Sequence, residues 1–232
     1  MQQIPYRYKI NTSSFAHYWN DGVGKELLQQ LGYIPDIKQA EKLIPLLYEW
    51  DRVGDQLVLD MHDRIGFKAG NDSLTNYLNG VTIPTAEKQS WDEFFAQIDT
   101  SPEWLEAEKI KLGAELCRRA NLSALIVLRD YCLMGGYESA AINKPLIYTG
   151  ALKKGPVKRL TDTVNFWVHI TKENGIKRDA EGFRQIILTR NIHSYSRINI
   201  LKRTDWDSSK WGIPINIWDM LATNLGFSLV FL

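Results

Sequence analysis

The stretch from Gly182 to Arg203, GFRQIILTRNIHSYSRINILKR, limits what this chain can fold into more than any other. It reads as a helix that carries Arg190, His193 and Arg197 through apolar surroundings. At about 100° per residue, Arg190 and Arg197 lie almost one above the other, and His193 sits about 60° round from them. Phe183, Ile186, Ser194 and Leu201 share that face. Guanidiniums buried without a partner would cost more than a domain of this size can offset. The fold must therefore bring something anionic to this helix, with room for an imidazole beside it.

The rest of the composition narrows the partner. The chain has 232 residues, enough for one large domain or two small ones, and 44% hydrophobic content supports a sizeable core. Lys plus Arg is 28 and Asp plus Glu is 27, a net charge of +1. A general nucleic-acid or membrane-surface role calls for a basic excess, so any positive site here is local. Cys117 and Cys132 both fall in helical, apolar contexts and read as reduced thiols in a core, with no zinc-type spacing. The N-terminus, MQQIPYRYKINTS, lacks the charged-then-apolar pattern of a signal peptide, so a cytoplasmic location is expected. The most apolar stretch, GIPINIWDMLATNLGFSLVFL, contains Asn216, Asp219 and Asn224 and reads as a buried helix, not a membrane span. Its abrupt close on FSLVFL reads as a buried terminus or an element cut midway.

Taken in order, residues 1–35 read as an N-terminal arm with short helices, one capped by Ser13 or Ser14, another from Lys25 to Leu31 stopped by Gly32. Residues 36–232 read as one helical domain. Asp36 opens a long segment with apolar residues at helical spacing through Ile44, Leu47, Trp50, Leu57 and Met61, which Pro45 and Gly54 should kink or divide. Asp72 to Leu78 reads as a short helix, then a loop with Thr85 as a cap, then a helix from Trp91 to Ile98. Ser101-Pro102-Glu103 is a helix-start signature for Trp104 to Ala120. Leu122 to Met134 is almost uniformly apolar and should be a central, buried helix ended by Gly135-Gly136. Tyr137 to Tyr148, then Val157 to Thr171, then the Arg/His helix from near Asp179, and a last helix from Pro214 complete the set. Period-2 strands and repeats are lacking. The expected fold class is all-α, a single multi-helix domain of about eight to ten helices joined by short connections.

Two constellations carry chemistry. In Arg190-x-x-His193-x-x-x-Arg197 the imidazole could ligate a metal or haem iron while the arginines fix an anionic group; a haem needs an axial nitrogen and cations for its two propionates. The plain alternative is two salt-bridged arginines and a core histidine. In the preceding helix, Arg159, Thr163, Phe166 and Ile170 fall on one face; read plainly, these are a buried salt bridge and a hydroxyl bonded back to its own helix. Two neighbouring helices bearing Arg/Thr and Arg/His/Arg on apolar faces could enclose one anionic, apolar object. His169, His62 and His17 read as packing, surface or capping residues. No three-ligand metal spacing, G-x-S-x-G elbow, P-loop or dinucleotide turn occurs.

The segments LRDYCLMGGYESAAINKPLIYTGALKKGPVKRLTDTVNFWVHI, GFRQIILTRNIHSYSRINI and WGIPINIWDMLATNLGFS together resemble the MpaB / latex-clearing-protein (rubber oxygenase) family. The order is the same: a small-residue turn, an Arg-x-x-x-Thr helix, an Arg-x-x-His-x-x-x-Arg helix and an "IN--D" helix. The resemblance implies a globin-like all-α core holding one haem b. His193 matches the proximal iron ligand, Arg190 and Arg197 the flanking arginines, and Arg159 and Thr163 the pair in the haem pocket. It also implies O2-dependent cleavage of carbon–carbon double bonds in isoprenoid chains. In rubber-cleaving members a lysine precedes the threonine; here Asp162 stands in that place. Glu138 is the nearby carboxylate that matches an upstream acid.

The leading expectation is thus a haem b-dependent oxygenase acting with O2 on an apolar isoprenoid or lipid, without nucleic-acid partners or a transmembrane segment. A haem-binding carrier or sensor is the second expectation. A haem-free helical protein, whose Arg/His cluster binds an anionic ligand, is the third.

Overall fold

The structure is a computed structural model and describes residues 4–10, 23–33, 41–81, 88–134, 136–137 and 139–228. The described residues are helical throughout, with no strand, in line with the expected all-α class. The helices are α1 (Tyr6–Ile10), α2 (Val23–Gln30), α3 (Arg52–Leu78), α4 (Lys88–Asp99), α5 (Ala107–Val127), α6 (Ala140–Tyr148), α7 (Pro156–Thr171), α8 (Glu181–Arg203), α9 (Ser208–Trp211) and α10 (Ile217–Ser228). Short 3-10 turns at Ile44–Tyr48 and Ala151–Lys154 and a π-helical turn at Leu128–Met134 lie between them. The expected caps Ser13, Ser14 and Thr85, the helix start at Asp36, His17 and the candidate acid Glu138 lie outside the described residues.

The core sits where α3, α4 and α8 meet. Leu57, Met61, Leu74 and Leu78 of α3, Trp91, Phe94 and Phe95 of α4, and Phe183 and Ile187 of α8 form one buried cluster. In α4 these residues recur at i, i+3 and i+4, so a single apolar stripe meets the two longer helices. α7 and α8 form an antiparallel pair joined by the turn through Asn174 (φ 57°), and α5 flanks α7. The turn closes tightly: a Cβ on Gly182 would lie 2.6 Å from the His169 carbonyl oxygen. Only glycine lets the start of α8 come that near the end of α7.

Several sequence expectations need correction. The long segment is divided before Asp51, not at Gly54. Pro45 falls in the 3-10 turn, and the Asp51 carboxylate accepts from the Gly54 amide at 2.9 Å to cap α3. Gly54 stays helical, and the break comes at Gly66, whose φ of 80° and ψ of 164° suit only glycine. Asp72 therefore lies inside α3. The Ser101-Pro102 signature starts no helix; α5 begins at Ala107 with Glu106 at its N-cap position. Residues 122–134 are not a central helix. The chain is kinked at Asn121 (φ 48°) and widens into the π turn, and Leu122 is 70% and Tyr131 65% exposed. Only Ala124, Leu128 and Cys132 point inward there. Uniform apolarity gave no face to read, so which side is buried followed from the kink. The last helix starts at Ile217, where Asn216 caps it by accepting from the Asp219 amide at 2.9 Å.

Candidate functional site

The anion that α8 demands is supplied by the chain itself. Arg190 donates from Nε and Nη2 to the two oxygens of Asp51 at 2.6 and 2.8 Å, and its guanidinium lies 4.4 Å from the Phe94 ring centroid. Arg197, 2% exposed, pairs with Asp55 and donates to the carbonyls of Pro214 at 3.2 Å and Ile215 at 2.9 Å. Both guanidiniums are thus largely engaged by protein, as the plain reading of this motif expects. Among the described residues, the anion beside these arginines is thus a pair of the chain's own carboxylates. Asp51 and Asp55 were not singled out from sequence. The available signal was an Asp-x-x-x-Asp pair at the start of a helix, which places both carboxylates on one face.

Electrostatics follow from this arrangement. Burial raises the Asp51 carboxyl, but hydrogen bonding and charge from Arg190 outweigh it and leave Asp51 below the ordinary carboxylate range. At Asp55 burial wins over Arg197 and pushes the carboxyl up. His193 is half-buried between the two ion pairs. Burial, followed by the charge of Arg197, drives its imidazole down from 6.5 to about 4, with Asp51 pulling the other way. A neutral imidazole is the form that ligates a metal. Among the described residues its ring makes no hydrogen bond, so a nitrogen lone pair remains for a ligand.

Across the hairpin, Arg159 is half-buried in α7 with its guanidinium 5.4 Å from the Tyr137 ring centroid, and its buried Nη1 has no hydrogen-bond partner among the described residues. Counting back from the His169–Gly182 contact at about 1.5 Å per residue, Arg159 and His193 both lie about 15 Å along the pair, at one level. A neutral imidazole and, among the described residues, an incompletely satisfied guanidinium thus stand at about the same level of the helix pair. Thr163 lies one turn nearer the hairpin, half-buried, with its hydroxyl donating to the Arg159 carbonyl at 2.9 Å. That is the helix back-bond anticipated for it.

Asp162 is not with them. Its carboxylate is exposed and accepts from Lys158 Nζ at 2.9 and 3.0 Å, an i,i+4 pair on the outer side of α7. The expectation that Asp162 works at the distal face is therefore not met by this geometry. His169 lies near the hairpin end, with Nδ1 3.4 Å from Lys172 Nζ. His62 is buried in an aromatic cluster with Phe67 and Tyr195, ring centroids 5.1 and 5.2 Å away.

These residues fit a haem in donor chemistry. Among the described residues, one neutral imidazole makes no hydrogen bond and could ligate iron, and one cation keeps an unbonded N–H that could meet a carboxylate. No group of three or more His, Cys, Asp or Glu among the described residues is placed to hold a bare metal ion. A cavity of about 570 Å³ lies elsewhere, at the start of α8, lined by Tyr77, Leu78, Arg178, Asp179 and Arg184 among others. No helix among the described residues is long and apolar enough to cross a membrane. No family model, curated protein or solved structure matches the chain.

Proposed function

We propose that the chain is a haem b-dependent oxygenase that uses O2 to cleave a C=C bond in an isoprenoid-like or lipid substrate. The observation that carries the reading is the level pairing of neutral, unbonded His193 on α8 with the incompletely satisfied Arg159 on α7. His193 would hold the iron, and Arg159 would donate to a cofactor carboxylate. When bound, haem supplies the oxygen chemistry; the protein supplies binding, orientation and a dry environment. Thr163 keeps the Arg159 turn of α7 closed through its back-bond. Arg190 and Arg197 act here through Asp51 and Asp55 as anchors of the ligand helix.

Exposed apolar side chains beside Arg159 favour an apolar substrate. The Tyr137 ring lies 5.4 Å from the guanidinium and is itself exposed, and Tyr131 and Met134 of the preceding π turn are exposed as well. π turns recur at functional sites because they re-aim side chains within a helix. One observation favours a second reading, a haem carrier or sensor: Asp162 is turned outward, so α7 presents no carboxylate beside Thr163.

The two readings separate in one experiment. Haem-loaded protein receives an isoprenoid without oxygen and is then exposed to O2, with product analysis. The oxygenase reading expects carbonyl products from the alkene. Haem retained with no alkene consumed favours the carrier.

A further inference from the structure

We propose that Asp51 and Asp55 are positioning residues for His193: through Arg190 and Arg197 they clamp α8 about one turn to either side of the imidazole, setting it in place in the cofactor-free chain. What His193 binds rests on the haem reading above; the clamp itself does not.

The clamp has two anchors on α8, seven residues and about 10 Å apart, and both are answered from the first turn of α3. A helix held at one point can still turn about its axis. Held at two points on one face, on either side of His193, it can neither turn nor slide without breaking a charged, partly buried pair. Each pair is braced further. Asp51 is fixed because the same carboxylate caps α3 at the Gly54 amide. Arg190 packs against the Phe94 ring, and Gln97 accepts from its Nη2 at 3.1 Å. Arg197 is tied by two carbonyls to the segment leading into α10.

Gly54 shows how close the two helices come at this level. A Cβ there would overlap the Asp51 carboxylate and lie 2.7 Å from Ser194 Oγ, the residue next to His193. α3 therefore abuts α8 beside the imidazole, and its acidic first turn is the surface against which His193 is registered. The charged groups facing this stretch from the start of α3 are Asp51 and Asp55, with Arg190, Ser194 and Arg197 on α8 itself.

The test separates clamping from capping. Asp51→Ser keeps an N-cap acceptor for the Gly54 amide but loses the ion pair to Arg190. Asp55→Asn is the second variant. Hydrogen exchange of residues 190–197 is followed in the cofactor-free chain, and the absorption spectrum and haem dissociation rate in haem-loaded protein. The clamp predicts that Asp51→Ser speeds exchange at 190–197 by about tenfold or more, the loss expected for one charge-assisted bond, while residues 91–95 stay protected. It also predicts faster haem loss and a shifted spectrum. Unchanged exchange at 190–197 in Asp51→Ser would overturn the proposal, leaving Asp51 as a cap only. If wild-type protein shows no haem spectrum, the haem reading falls, and the exchange measurement still decides the clamp.

Discussion

His193 is neutral in the folded chain because charging it would place a cation in a desolvated position beside Arg197. This has a consequence for stability with a definite sign. The unfolded chain takes up the proton near 6.5, and the folded one only at about 4. Stability is therefore fully present above 6.5 and is lost as the pH falls through that window, by about 3 kcal/mol in all. Asp55 acts in the opposite sense: raised by burial, it holds its proton more tightly when folded and returns some stability on acidification. Asp51, held down by Arg190 against its burial, gives up its share as the pH falls from the ordinary carboxylate value toward its lowered one. Urea unfolding at the two ends of the His193 window should show the fall in wild type and a much flatter response in His193→Gln. Equal pH dependence in the two proteins would mean His193 is not desolvated.

At the scale of elements, glycines decide how α3 is used. Gly66→Ala meets no steric neighbour, yet φ of 80° and ψ of 164° are strained for any side chain, so a loss of about 1–3 kcal/mol is expected in urea midpoints. Gly54→Ala should cost a similar amount, about 1–3 kcal/mol, for a different reason, because its methyl would push Asp51 off Arg190. It should also loosen residues 190–197 in hydrogen exchange, which Gly66→Ala should not. The sequence was informative where one face differed from the other. α4, α7 and α8 were readable within a few residues because apolar positions recur at helical spacing. Arg190, His193 and Arg197 stood out because charges interrupt such a face. Residues 122–134 carry no such signal, because every side is apolar. Asp51 and Asp55 do not stand out in the sequence, because a carboxylate at a helix start is ordinary until its partner, about 140 residues on, is known.

Over the whole molecule, the first and last described helices are joined by a buried ion pair. Arg7 of α1 donates from Nη1 and Nη2 to both oxygens of Asp219 of α10 at 2.9 Å, and Asn216 adds a bond at 2.8 Å. Removing one partner leaves a charge buried alone, so Arg7→Ala should destabilise by about 3–5 kcal/mol, while Arg7→Met with Asp219→Leu should cost far less. Thermal unfolding of the three proteins checks this, and equal losses would show that the pair acts through packing alone. The all-α class was legible from the missing period-2 patterns, but the closure between the two ends was not, since nothing local marks Arg7 or Asp219 as partners. The central claim concerns the hairpin held inside this frame, where His193 is proposed to ligate haem iron. It is tested most directly by titrating haem into wild-type protein and His193→Ala and recording absorption spectra. The account predicts a sharp Soret band at one equivalent in wild type, lost or displaced in His193→Ala with folding intact. Wild-type and variant spectra that both match free haem, or that match each other, would contradict it.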